Sequence, residues 1–188
     1  MIIYIHGFNS SPASFKAKCL HDRFAAFRRA HEFVAPALPP SPAAAAQILE
    51  TLAREHPEAA LVGSSLGGFY ATYLAEKLGC RAVLINPAIT PHIGLEAYLG
   101  TQTNLHTGAP YELTRAHLEG WRRLQVERID PEKYLLLLET GDEVLDWREA
   151  ARKYEGARMV VRDGGDHSLQ CFPEMMPRIV EFARLEAG

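Results

Sequence analysis

The sequence predicts an α/β fold, with about six mostly parallel strands and helices on both faces of the sheet. Two observations carry this. Short apolar runs recur at Ile2–Ile5, Phe33–Ala35, Ala60–Gly63, Ala82–Ile85, Leu135–Glu139 and Arg158–Val161. Between most of them lie stretches of helical periodicity, long enough to cross from one parallel strand to the next. A chain of 188 residues, 47% apolar and 23% charged, has the size and composition of one globular domain with a real core.

Taken in order, Ser11-Pro12 after the first strand reads as an N-cap followed by proline at the first helical position. Phe15, Cys19, Phe24 and Phe27 then form the expected stripe of that helix. Ser41-Pro42 repeats the start signal, with Ala45, Ile48, Leu49 and Leu52 as the buried face and a stop before Pro57. Further helices are expected over Leu66–Leu78, Asp146–Tyr154 and Pro173–Leu185. The interval of about 87–132 carries glycines, prolines and scattered aromatics but no convincing strand, and is too long for a simple crossover. It reads as a small helical cap over the strand ends, with a linker between two domains as the alternative.

Several function classes are disfavoured. A net charge of −3 gives no long-range attraction for nucleic acid, and the Arg28-Arg29 and Arg122-Arg123 pairs read as solvated helix faces. Cys19, Cys80 and Cys171 are odd in number and widely spaced, which suits free thiols in a reducing compartment rather than a disulfide framework or zinc ribbon. The uncharged stretch Ala59–Ala75 is shorter than the roughly 20 apolar residues of a membrane span. Because Met1 to Ile5 already reads as a strand, no signal peptide is expected, and the reading is cytoplasmic with no membrane partner.

Gly63-Ser64-Ser65-Leu66-Gly67 is a G-x-S-x-G sequence placed between an apolar strand and a helix, the setting that exposes a nucleophilic serine on a sharp turn. The bland reading is a Gly/Ser turn without chemistry. A serine hydroxyl is a poor nucleophile near neutral pH and needs a base and an orienting acid. Asp142 follows the strand after the cap, and His167 follows the last strand behind the paired Gly164-Gly165. Asp146 reads as a helix cap, Asp166 adjoins His167 too closely to reach its far nitrogen, and Glu143 competes from a less favourable turn position. His6-Gly7-Phe8 after the first strand suggests that the Phe8 and Leu66 N–H groups form an oxyanion hole. Tyr98, Tyr111 and Trp121 are candidate substrate-binding aromatics, with a private core of the cap as the alternative.

The chain resembles the YqiA-like esterases, a family of small bacterial α/β-hydrolases. The resemblance rests on His6-Gly7-Phe8-Asn9-Ser10-Ser11-Pro12, Leu38-Pro39-Pro40, Gly63 to Gly68, Asn86-Pro87-Ala88, Tyr98-Leu99-Gly100, Thr140 to Asp146, and Gly164-Gly165 with His167. It implies a shortened α/β-hydrolase fold and a cofactor-free serine esterase acting on small-molecule carboxylic esters, acyl-CoA thioesters included. Asp166-His167-Ser168-Leu169 and the segment from Thr101 to Ile129 depart from the family pattern. Two rivals stay open at this stage. One is a hydrolase-like scaffold that only binds, and the other is a metal-dependent hydrolase using Asp163, Asp166 and His167, which lacks paired-histidine spacing. A peptidase or lactonase on the same three residues is a further possibility.

Overall fold

The computed structural model describes residues 1–105 and 107–184. Its elements are β1 (Ile2–Ile5), α1 (Phe15–Ala26), β2 (Phe33–Val34), α2 (Pro42–Glu55), β3 (Ala60–Ser64), α3 (Leu66–Leu78), β4 (Ala82–Ile85), α4 (Pro91–Gly94), β5 (Gly100–Thr103), β6 (Pro110–Leu113), α5 (Arg115–Arg123), β7 (Tyr134–Glu139), α6 (Trp147–Lys153), β8 (Arg158–Arg162) and α7 (Phe172–Phe182). Six strands form one parallel sheet in the order β2-β1-β3-β4-β7-β8.

The sheet has two buried faces because successive side chains of a strand point opposite ways. Ile3, Ile5, Leu61, Leu84, Leu136 and Leu138 face the cluster built with α2 and α3. Ile2, Tyr4, Val62, Val83, Ile85, Leu135 and Leu137 face the cluster built with α1 and α7. This is why the strands read as continuous apolar runs rather than alternating ones.

The helix starts differ in one instructive place. Ser41 caps α2 as its Ser-Pro signal predicts, its hydroxyl accepting from the Ala44 N–H. Ser11 does not cap α1. Its hydroxyl accepts from the Ala13 N–H and its carbonyl from the Ser14 N–H, closing a turn that delays the helix until Phe15. The buried face of α1 is therefore Ala17, Leu20 and Phe24, while Phe15 and Phe27 are exposed. In α2 the inward residues are Pro42, Ala45, Ala46, Leu49 and Ala53, and Ile48 faces out. Strand β2 is shorter than expected, ending at Val34 at the sheet's edge. Helix α7 ends at Phe182, and the expected end at Leu185 lies outside the described residues.

The expectation of a purely helical cap needs correction. Residues between β4 and β7 form α4, α5 and an antiparallel hairpin of β5 with β6, in which Gly100 pairs with Leu113 and Thr103 with Pro110. Gly100 and Pro110 are breakers by composition, but each begins a strand, where a breaker is tolerated. Leu113, Leu118 and Trp121 join the same cluster as α2 and α3, so this insertion packs on the sheet's own core.

The N-terminus of α3 abuts the end of β1 so closely that a Cβ on Gly67 would lie 1.9 Å from the Ile5 carbonyl oxygen. Replacing Gly67 by alanine should therefore cost about 3 kcal/mol or more, the upper end for overpacking. Gly94→Ala, where an added Cβ meets nothing within 4 Å, should stay within about 0.5 kcal/mol. Urea denaturation of the two variants checks the contrast, and equal losses would contradict it.

Candidate active site

All strands of the sheet being parallel, the turns that follow β1, β3, β7 and β8 emerge at one edge. Those turns carry Gly7-Phe8, Ser65, Asp142 and His167 in that order.

Ser65 turns the chain from β3 into α3 with φ 55° and ψ −120°, a conformation that strains any residue bearing a Cβ by about 1–3 kcal/mol. The surroundings hold it there. Its N–H donates to the Ile85 carbonyl at 3.0 Å, and its own carbonyl accepts from the N–H groups of Gly68 at 2.9 Å and Ala88 at 3.0 Å. The turn closes only without a side chain at Gly63, where a Cβ would lie 2.3 Å from the Gly67 carbonyl oxygen. Gly7 reaches the same point from β1, since a Cβ there would sit 3.2 Å from Ser65 Cβ and 3.7 Å from its Oγ. The peptide leading to the Phe8 N–H thus lies against the serine side chain. The Leu66 N–H is the first of α3 and has no partner within the helix.

Asp142 and His167 meet directly. His167 Nδ1 lies 2.8 Å from Asp142 Oδ2, and the Asp142 side chain is only 1% exposed. The other carboxylate oxygen accepts from the Val144 and Leu145 N–H groups at 2.8 and 2.9 Å. Burial pushes the Asp142 carboxyl upward, but the hydrogen bonds from His167, Leu145 and Val144 outweigh it and hold the group below its ordinary value. Glu143 uses its carboxylate on the His167 backbone N–H at 3.0 Å, away from the ring's Nδ1, and Asp146 caps α6.

β3 and β8 are three strands apart, about 14 Å at the usual spacing, so the loop carrying His167 must run back across β7. Asn86, at the end of β4 and beside the Ser65 turn, draws it there. The Asn86 side-chain amide donates to the carbonyls of Asp166 at 3.2 Å and His167 at 3.1 Å, while its Oδ1 accepts from the Glu139 N–H at 3.1 Å. Glu139, 3% exposed, takes the Asp166 N–H at 2.8 Å and the Cys171 thiol at 3.1 Å. Burial and that carboxylate push the Cys171 thiol up to about 11, which keeps its S–H as the donor. A Cβ on Gly165 would strike the Glu139 carboxylate, and one on Gly141 would lie 2.5 Å from the Gly165 carbonyl oxygen. Among the described residues the Ser65 hydroxyl makes no direct hydrogen bond to the His167 ring. Such links are commonly long in unliganded sites and tighten around substrate.

Next to the Ser65 turn opens a cleft lined by the His6–Ser10 loop, Leu38-Pro39-Pro40, Leu66, Tyr70, Asn104 and Trp121. Of the three aromatics singled out from sequence, only Trp121 lines it. Tyr98 packs edge-on against Phe8, and the Tyr111 hydroxyl donates to Asn9 Oδ1 at 2.6 Å. The Asn9 amide donates in turn to Gln102 Oε1 at 3.0 Å, so one side chain fastens both strands of the cap hairpin to the Phe8 loop. Asn86, Glu139, Asn9 and Tyr70 were not singled out individually by sequence reasoning. The available signal was an asparagine at a strand end before proline, a position suited to the positive φ of 39° that Asn86 adopts.

Asp163 accepts from the Thr140 hydroxyl, Asp166 from the Gln170 amide, and His167 faces Asp142. Among the described residues no three His, Cys, Asp or Glu side chains are grouped so that they could hold a metal ion. None of the described helices is long and apolar enough to cross a membrane.

The sequence profile of the uncharacterised protein family UPF0227 matches residues 1–184. The chain belongs to this family. UPF0227 is the YqiA-like family that the motifs resemble. Among solved structures, a provisionally named hydrolase from Agrobacterium vitis S4 aligns with TM-score 0.73 and 21% identity, over 97% of this chain and 87% of that one. The mouse α/β hydrolase domain-containing protein 10 aligns with TM-score 0.72 and 16% identity, over 96% and 87%. The esterase domain of a Rhodothermus marinus protein gives TM-score 0.69 and 19% identity, over 97% and 85%. At these identities the likeness establishes the α/β-hydrolase fold.

The depressed Asp142 carboxyl has a testable consequence. A group whose folded value lies below its unfolded one contributes stability that is present above the unfolded value, here 3.8, and lost as pH falls through the folded value. The contribution of the Asp142 carboxylate to the stability gap between wild type and Asp142→Asn should therefore be fully present well above about pH 4 and shrink below it. Denaturation series at graded pH measure it, and a gap that widened on acidification would contradict the assignment.

Proposed function

We propose that this chain is a serine hydrolase of carboxylic esters, acyl thioesters included, with Ser65 as nucleophile, His167 as general base and Asp142 as the acid that orients it. The observation that carries this reading is the Asp142–His167 pair at 2.8 Å, on a loop that Asn86 holds beside the strained Ser65 turn. A buried aspartate on one imidazole nitrogen fixes the tautomer that leaves the other nitrogen free to take a proton.

In the acylation step Ser65 Oγ attacks the carbonyl carbon of the ester while His167 Nε2 takes the hydroxyl proton. The tetrahedral oxyanion accepts hydrogen bonds from the Phe8 and Leu66 N–H groups, each such donor typically contributing about 3–4 kcal/mol at the transition state. On collapse the bond to the leaving oxygen or sulfur breaks, and His167 returns the proton to it. Water then attacks the acyl-Ser65 ester, gives one proton to His167 and releases the carboxylic acid as Ser65 regains its hydrogen. None of the five groups requires a cofactor. A cytoplasmic setting, in which Cys19, Cys80 and Cys171 remain thiols, goes with this reading.

Ser65→Ala should lower kcat on p-nitrophenyl acetate by at least about 10⁴-fold. Asp142→Asn should lower it by about 10³–10⁴-fold with KM little changed, because the wrong tautomer acts on the transition state rather than on binding. A Ser65→Ala variant that turns over at the wild-type rate would overturn the assignment.

A further inference from the structure

We propose that Asn9 is a positioning residue for this reaction: its side chain latches the loop carrying the Phe8 N–H to the cap hairpin, so the cap sets where that donor stands. This rests on the serine-hydrolase reading and deepens it.

The loop is short and bends sharply. The Ser10 N–H donates to the Gly7 carbonyl at 3.3 Å, closing a turn with Phe8 and Asn9 at its centre. Asn9 takes the second central position with φ 50°, where glycine or asparagine is favoured. Among the described residues the Phe8 N–H donates to no acceptor. An open amide on a loop whose Gly7 lies against the Ser65 side chain is available to an oxyanion formed there. Such a donor must be held to within about 0.5 Å. A turn closed by one hydrogen bond at the long end of the range does not do this alone.

The support comes from the cap. Gln102 of β5 and Tyr111 of β6 are directly opposite in the hairpin's register, so their side chains share one face. That face meets the loop. The Tyr111 hydroxyl donates to Asn9 Oδ1 at 2.6 Å, and the Asn9 amide donates to Gln102 Oε1 at 3.0 Å. The Gln102 amide then donates to the Tyr98 carbonyl at 2.7 Å, and the Tyr98 ring packs edge-on against Phe8 itself. The contacts thus run from Asn9 through the hairpin and return to the residue whose N–H is to be placed. Glycine would meet the backbone requirement at position 9 equally well. What glycine lacks is the amide, and both ends of that amide are engaged by the hairpin.

The test is kcat and KM on p-nitrophenyl acetate, together with affinity for a small alkylboronic acid, which binds a serine hydroxyl as a tetrahedral adduct and draws on the same donors. Asn9→Gly keeps the turn and removes the latch. It should lower kcat by about tenfold to a hundredfold, as for an oxyanion donor displaced by up to about 1 Å, with KM changed by less than about twofold. Tyr111→Phe and Gln102→Ala leave the loop's own sequence intact and should each lower kcat by about three- to tenfold. Either one should add little to Asn9→Gly, because all three remove the same contact. Boronate affinity should fall in step with kcat across the series. Glu112→Ala, whose side chain bonds Thr101 on the hairpin's other face, should stay within about twofold of wild type. If Asn9→Gly does not fold, Tyr111→Phe, which deletes a single oxygen, decides the matter. A kcat within about twofold of wild type in the Asn9 and partner variants, losses confined to KM, or a boronate affinity that does not follow kcat would overturn the latch and leave the nucleophile assignment intact. No turnover by the wild-type protein on any ester, together with no labelling of Ser65 by a small fluorophosphonate, would instead remove the hydrolase reading and the latch with it.

Discussion

The side-chain amide of Asn86 is the contact on which the site depends. A parallel sheet delivers its turns to one edge, but it spaces them at strand intervals, and β8 stands three intervals from β3. Bringing an imidazole on the last turn to a hydroxyl on the third strand requires something at the intervening strand end to hold the loop. Asn86 does this with both ends of its amide, gripping the carbonyls of Asp166 and His167 while bonding the Glu139 N–H of β7. Glu139 and Glu143 take the loop's N–H groups from below. The N–H and carbonyl groups of both Asp166 and His167 are thereby paired, so a loop that follows two glycines acquires a defined path.

The serine side of the site is organised by absence of side chains instead. Gly63 lets the Ser65 turn close on the start of α3, Gly67 lets that helix abut the end of β1, and Gly7 brings the β1 loop against the Ser65 side chain. The strain of the Ser65 backbone is borne by three hydrogen bonds that also link β3 to β4 and α3. One half of the site is thus built by polar contacts to a loop, the other by close backbone packing, and the ends of β3 and β4 join them. The cap adds a third layer, because Asn9 connects both strands of its β5–β6 hairpin to the segment that carries Phe8.

Much of this was legible in the chain. The four inner strands β1, β3, β4 and β7 were readable because both their faces are buried, so each gives a run of buried residues with a sharp end. That Ser65, Asp142 and His167 stand on turns at one edge of the sheet was readable because chain order and strand ends constrain where those turns lie. The failures have local causes. Ser11 carries the same Ser-Pro signal as Ser41, yet its hydroxyl closes a turn instead of capping, which rotated the expected face of α1. The β5–β6 hairpin has only four residues per strand and little apolar content, so neither period stands out. Asn86 and Glu139 were hidden because their role is to hold a distant backbone, and a sequence carries no local trace of a partner eighty residues away.

Three distant turns must act as one group at the carboxyl edge, and a structure of the protein after reaction with a small fluorophosphonate tests that most directly. The account predicts phosphorus bonded to Ser65 Oγ, its P=O oxygen within about 3 Å of the Phe8 and Leu66 nitrogens, and His167 Nε2 within hydrogen-bonding reach of the adduct. An adduct on another residue, or an imidazole out of hydrogen-bonding reach of the modified serine, would contradict it.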